Sequence, residues 1–195
     1  LNTKYVIQKG SDGQPKAQRN PGALGNAWLV KNIRVVKNAD EEIAALGDAT
    51  FSPAETAIVD ERFKTIATST EYNPEGSSIA QTFFSPNKIT YEYNGNDKNF
   101  AVLSEVYYPD WLCYVDGKQT NYARVNYVLR GLELSAGKHT VEFRLEPKAF
   151  TVGNKIAYAG SALLIIFLLA VVGMNVREMQ QHQTAEAKPA VKAKK

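Results

Sequence analysis

From residue 79 onward the chain alternates apolar and polar positions with a period of two. The segments IAQTFF, KITYEYN, FAVLSEVYY, WLCYVDG, ARVNYVLRGLEL and KHTVEFRLE share this pattern. In the last of them Val141, Phe143 and Leu145 alternate with polar side chains, the signature of a strand with one face buried. Turn-forming residues separate the segments: Ser85-Pro86, Asn94-Gly95-Asn96, Pro109-Asp110, Asp116-Gly117 and Ala136-Gly137. Asp116-Gly117 is the strongest of these signals, because a two-residue hairpin turn needs positive φ and both residues tolerate it. Upstream, TKYVIQ (3–8) predicts a first strand, and the Gly-, Pro- and polar-rich stretch 9–26 predicts a loop. AWLVKNIRVV (27–36) predicts a strand pair or one long bent strand. Asn38 is placed to cap a short helix, ADEEIAAL, whose Asp40, Glu41 and Glu42 suit its positive N-terminal end, with Gly47 as its stop. Ser52-Pro53 with Glu55 predicts a turn or a single helical turn before AIVDERF (57–63). The fold class expected is mainly β: an antiparallel, jelly-roll-like β-sandwich with one or two short helices.

The alternation stops at a segment of another kind. Ile156 to Val176 are 21 residues without an ionised side chain at neutral pH. As a helix they span roughly 31 Å, which matches a bilayer core of about 30 Å. Hydrocarbon offers no partners to free backbone groups, so a helix is required there. The expected organisation is a sandwich domain over 1–155, a transmembrane helix over 156–176 and a basic, disordered tail over 177–195. Ala157 and Ser161, four apart and beside Gly160, give the helix a small-residue face against which another helix can pack.

Charge adds an orientation. Lys and Arg number 23 against 20 Asp and Glu, a net charge of +3, which is too small to suggest a nucleic-acid binder. Residues 1–155 carry 18 basic and 18 acidic side chains, and the last 40 residues carry five and two. Arg177, Lys188, Lys192, Lys194 and Lys195 therefore place the tail in the cytoplasm and residues 1–155 outside the cytoplasmic membrane. The opposite arrangement is a tail-anchored cytosolic domain. An exported domain needs a route across the membrane, and no hydrophobic signal precedes it after Leu1. The expectation is a cleaved signal, or earlier transmembrane helices, upstream.

The run PGALGNAWLVKNIRVVKNADEEIAAL, followed by FAVLSEVYYPDWLCYVDGKQTNYARVNYVLRGLELSAGKHTVEFRLEP and one hydrophobic helix, resembles the C-terminal end of YfhO-type bacterial membrane proteins. The resemblance covers about residues 20–176. Its most distinctive parts are Tyr108-Pro109-Asp110-Trp111, Asp116-Gly117-Lys118 and Ala136-Gly137-Lys138-His139. It implies a polytopic GT-C-type glycosyltransferase of the bacterial inner membrane, using a polyprenyl-phosphate sugar donor to modify cell-envelope glycan. The partners it implies are the lipid bilayer, the remaining transmembrane helices of the parent protein and the glycan. The catalytic acids of that class lie in an early extracytoplasmic loop, so no residue here inherits a catalytic role. The alternative is a single-pass anchored sandwich that binds glycan or protein and has no enzymatic activity.

The residue inventory is consistent with a non-catalytic module. His139 and His182 are the only histidines and flank the apolar segment, so neither forms a metal cluster, and no cofactor site is expected in this chain. His139 reads as a strand-start residue bonded locally rather than a general base. Cys113 reads as a small buried side chain rather than a nucleophile. Glu105 is the candidate for a perturbed acid, or else a partner of Arg124 or Arg130, or simply outward-facing. Tyr107, Tyr108, Trp111, Tyr114, Tyr122 and Tyr127 make residues 107–127 rich in aromatics. Sugar binders stack pyranose faces on such rings, and Tyr108, Asp110, Trp111 and Arg124 are the candidate glycan contacts. The competing reading makes these rings ordinary sandwich core, with Trp111 plugging one end.

Overall fold

The computed structural model describes residues 2–11 and 13–187 and divides into two compact units, one ending at Glu146 and one beginning at Pro147. Among the described residues the first unit is built from thirteen strands. β1 (Tyr5–Lys9) and β2 (Pro15–Arg19) form a separate two-stranded ribbon. β2 lies inside the stretch predicted to be loop. The ribbon turns at Gly13, whose φ of +76° demands glycine, and all ten of its strand residues are exposed, so no apolar alternation marks it.

Five strands make one sheet: β6 (Ser78–Ser85), β7 (Lys88–Gly95), β9 (Trp111–Val115), β10 (Lys118–Thr120) and β13 (Gly137–Leu145), in the order β10-β9-β13-β7-β6. Six make the other: β3 (Ala27–Val30), β4 (Asn32–Val36), β5 (Thr56–Asp60), β8 (Asn99–Val106), β11 (Ala123–Val125) and β12 (Leu129–Leu134), in the order β3-β8-β12-β11-β5-β4. The pairs are antiparallel except β4 with β5, which run parallel. AWLVKNIRVV does break into two strands at Lys31, but they do not pair with each other. They lie at opposite edges of the six-stranded sheet. Five strand intervals would span about 24 Å in a flat sheet, whereas the two peptide links from Val30 to Asn32 reach about 7 Å. The sheet therefore curls until its edges meet.

That curl produces two cores. Between the sheets, Ile89, Tyr91, Tyr93, Val141, Phe143 and Cys113 face Ala101, Leu103, Leu132 and Leu134. Inside the curl, Trp28, Val30, Ile33, Ala57, Val59, Phe100, Val102, Ala123 and Val125 pack together. β8 supplies both sets, which explains why Asn99–Leu103 is buried at every position. Phe63 and Ile66, from a short 3-10 helix over Glu61–Ile66, cover the second core with Tyr72. The predicted helix forms as α1 (Ala39–Leu46): Asn38 accepts the Glu41 N–H, Glu41 accepts the Lys37 N–H, and Gly47 caps its end. Asp116 (φ 51°) and Gly117 (φ 78°) make the predicted hairpin turn. ARVNYVLRGLEL, read as one segment, is two strands divided at Asn126 and Tyr127, both at positive φ.

The second unit is one helix, α2 (Lys148–Ala187). It is long and apolar enough over Ala149–Gln183 to cross a membrane. Leu163, Phe167 and Leu169 are 68, 65 and 66% exposed, unlike the side chains of a soluble core helix. The helix begins eight residues before the uncharged run. It also continues through residues 177–187, which were expected to be disordered, while the lysines from Lys188 onward lie outside the described residues.

Candidate functional site

Tyr108, Pro109 and Asp110 form the turn that feeds β9. The Trp111 N–H donates to the Tyr108 carbonyl at 3.1 Å, and the Tyr122 hydroxyl lies 2.9 Å from the Trp111 carbonyl and 3.1 Å from that of Tyr108. Tyr122 fixes this turn because its own ring is anchored, edge-on to Phe143 at 5.1 Å. Burial pushes the Tyr122 hydroxyl up to about 12, so it remains a proton donor. From Tyr122 a line of rings runs outward through Tyr107 at 5.2 Å to Phe63 at a further 5.6 Å.

These rings border a cleft of about 350 Å³. Phe63, Tyr107, Trp111 and Tyr122 supply apolar surface, and Arg62, Thr65, Gln119, Thr120 and Asn121 supply hydroxyl, amide and guanidinium groups around it. Rings for C–H faces beside groups that both donate and accept hydrogen bonds are the combination a polyhydroxylated ligand requires. The 3-10 helix positions Arg62, whose guanidinium holds Asp60 at 2.7 and 3.0 Å. That hydrogen bonding brings the Asp60 carboxyl down to about 2 against the opposing effect of burial.

The four candidate glycan contacts fall in different places. Tyr108 is 54% exposed at the turn, Asp110 is half-buried there, and Trp111 lines the cleft. Arg124 is elsewhere. It pairs with buried Glu42 at 2.8 Å, lies 3.7 Å from Asp60 and donates to the Tyr127 carbonyl at 2.9 Å. Glu42 also accepts the Tyr127 N–H at 2.7 Å, so α1 is clamped to the strained Asn126-Tyr127 turn. Burial raises the Glu42 carboxyl above the usual range despite its contacts with Tyr127 and Arg124.

The cation beside Trp111 is Arg130, at 4.4 Å from the ring centre and 5.0 Å from that of Phe143. It is 2% exposed, its Nε donates to the Val106 carbonyl, and its Nη1 has no partner. Burial lowers its proton affinity. Among the described residues no ion pair joins Glu105 to Arg124 or Arg130.

Cys113 is buried, and burial pushes its thiol up to about 12, so it stays protonated rather than nucleophilic. His139 bonds Asp116 through Nδ1 at 2.6 Å and Ser135 through Nε2 at 2.9 Å. The connectivity is that of a Ser-His-Asp triad. Ser135 and Ala136 are exposed, however, and Asp116 also accepts the Thr140 N–H, so the group acts as a clasp between two hairpin turns. Among the described residues no three His, Cys, Asp or Glu are grouped to hold a metal.

Sequence reading found Trp111 and missed Gln119, Thr120 and Phe63, which reach the cleft only through the Asp116-Gly117 hairpin and the 3-10 helix. The hairpin was visible, and with it the return of residues 118–120 alongside Cys113–Val115. No signal placed Phe63 beside Tyr107.

No curated protein and no solved structure matches the chain. The family model described as bacterial membrane protein YfhO matches residues 54–157, from just before β5 into α2. That segment contains every residue lining the cleft. The match covers more than half of the sequence, so the chain belongs to the YfhO family of bacterial membrane proteins.

Proposed function

We propose that this chain is a non-catalytic extracytoplasmic module and membrane anchor of a polyprenyl-phosphate-sugar-dependent glycosyltransferase that modifies cell-envelope glycan. Residues 1–155 lie outside the cytoplasmic membrane and the C-terminus lies in the cytoplasm, following the basic residues of the tail. The module's task is to hold the glycan acceptor, and the cleft bordered by Trp111, Tyr107 and Tyr122 is where it does so. The observation that carries this reading is that cleft: aromatic faces beside Thr65, Gln119 and Asn121 in one concavity. Family membership supports the membrane setting, and the transferase chemistry belongs to residues outside this chain.

The test is deletion of residues 1–155 from the parent gene, alongside the pair Gln119→Ala and Asn121→Ala in the intact gene, with envelope glycan composition as readout. Gln119 is exposed and Asn121 is exposed, so the substitutions leave the fold in place. The expected result is loss of modification on deletion and a several-fold reduction with the paired substitution. Unchanged modification in both strains overturns the reading.

A further inference from the structure

The sandwich unit is unlike at its two ends. At one end β7 begins at Lys88 opposite Arg144, and β6 reaches it with Phe83 and Phe84, which are 50 and 61% exposed. The exposed Tyr108 stands on the neighbouring turn. At the other end Gly95 lies opposite Gly137, and the exposed residues are polar or charged, among them Asn94, Asn96, Asp97, Lys98, Asp116, Lys118 and Lys138. Neighbouring exposed phenylalanines at a tip are unfavourable in water and call for an apolar or interfacial partner.

The chain leaves the unit at the aromatic end. The Leu145 N–H donates to the Asn87 carbonyl and the Glu146 N–H to the Asp110 carbonyl, both at 2.9 Å. The last two residues are thus held between the turns that carry Phe84 and Tyr108. The apolar helix begins at Lys148, two peptide links on, or about 7 Å of extended chain. The uncharged run starts at Ile156, a further eight residues, or about 12 Å of helix. Chain length alone keeps the aromatic end within about 20 Å of the hydrocarbon, beside a headgroup layer some 5–7 Å deep on each side. Aromatic rings favour that layer.

We propose that Phe83, Phe84 and Tyr108 form an interfacial seat by which the sandwich rests on the lipid headgroup layer. Trp111, opposite Leu145 in the β9–β13 pairing, then brings the cleft to the bilayer surface, where a lipid-linked or membrane-proximal glycan is presented. The seat rests on the membrane-spanning role of α2 and not on the transferase reading.

The test uses the full chain in nanodiscs of phosphatidylcholine and phosphatidylglycerol, with one introduced cysteine carrying an environment-sensitive fluorophore. Phe84→Cys and Tyr108→Cys probe the seat, and Asp97→Cys probes the opposite end. Buried Cys113 stays unlabelled. With nitroxide-headgroup lipid, quenching at positions 84 and 108 is expected to exceed that at 97 at least about threefold. Equal quenching at the two ends, or stronger quenching at 97, overturns the proposal. Unchanged glycan modification in the deletion and paired-substitution strains, together with stronger quenching at positions 84 and 108, would remove the transferase reading and leave the seat standing.

Discussion

Arg124 and Glu42 lie 82 residues apart in the chain and meet at 2.8 Å, the carboxylate wholly buried and the arginine side chain 18% exposed. Glu42 has a second duty, accepting the N–H of Tyr127, which sits at a φ of 69°. A buried pair contributes little relative to a well-packed apolar substitute, but breaking it strands a charge. Glu42→Ala leaves Arg124 with the Asp60 carboxylate at 3.7 Å and the Tyr127 carbonyl, and removes the acceptor that holds the strained turn. The expected loss is about 3–5 kcal/mol, read as a lower denaturation midpoint of the full chain in detergent. A loss below about 1 kcal/mol would mean that solvent satisfies Arg124 and the clamp is incidental.

The same reasoning gives Arg130 the opposite outcome. Its guanidinium is buried with one nitrogen unpartnered, and its binding within the core comes from the Trp111 and Phe143 rings and one carbonyl. Methionine keeps much of the volume and removes the desolvated charge. Arg130→Met is expected to leave stability within about 1 kcal/mol of the parent or to raise it. Thermal unfolding measured in parallel with Glu42→Ala separates the two cases. A large loss on Arg130→Met would show that the cation holds the sheets together.

These two arginines also mark where one-dimensional reading ends. Trp111, the Asp116-Gly117 turn and the Asn38 cap are local facts, decided by residues within a few positions, and the sequence displays them. Which arginine faces Trp111 depends on how β12 pairs with β8 and lies across from β9, a matter of long-range register. Arg124 and Arg130 are opposite each other in the β11–β12 pairing. The Asn126-Tyr127 turn was hidden for a related reason. Tyr127 is no turn former, and its positive φ is held by Glu42 from α1.

Protonation of His139 makes the hairpin clasp pH-dependent. The Asp116 hydrogen bond raises the His139 ring above its ordinary 6.5, and the same contact lowers Asp116 below 3.8. The histidine contribution is full below pH 6.5 and is lost as pH rises through the folded value. The aspartate contribution is full above pH 3.8 and is lost as pH falls through its lowered value. The clasp is therefore strongest between about pH 4 and 6.5. Asp116→Asn removes the charge while keeping a side chain that tolerates positive φ. The parent is expected to exceed this variant most within that window, by no more than about 1 kcal/mol because Asp116 is half-exposed. A difference that stays constant from pH 5 to pH 9 would exclude the ion pair as its source.

Gly131 tests the packing of the second core. It lies in β12 opposite Ala123, and a methyl group there would stand 2.7 Å from Phe100 Cε1 and 2.7 Å from Val125 Cγ1. Both side chains are fully buried inside the curl, so neither has open space to move into. Gly131→Ala is therefore expected to destabilise by about 1–3 kcal/mol through overpacking. This holds although alanine ordinarily suits a strand better than glycine does. The double variant Gly131→Ala with Val125→Ala relieves one of the two contacts and should recover part of the overpacking loss, beyond what Val125→Ala alone predicts. Additive losses in that cycle would place Gly131 and Val125 out of contact.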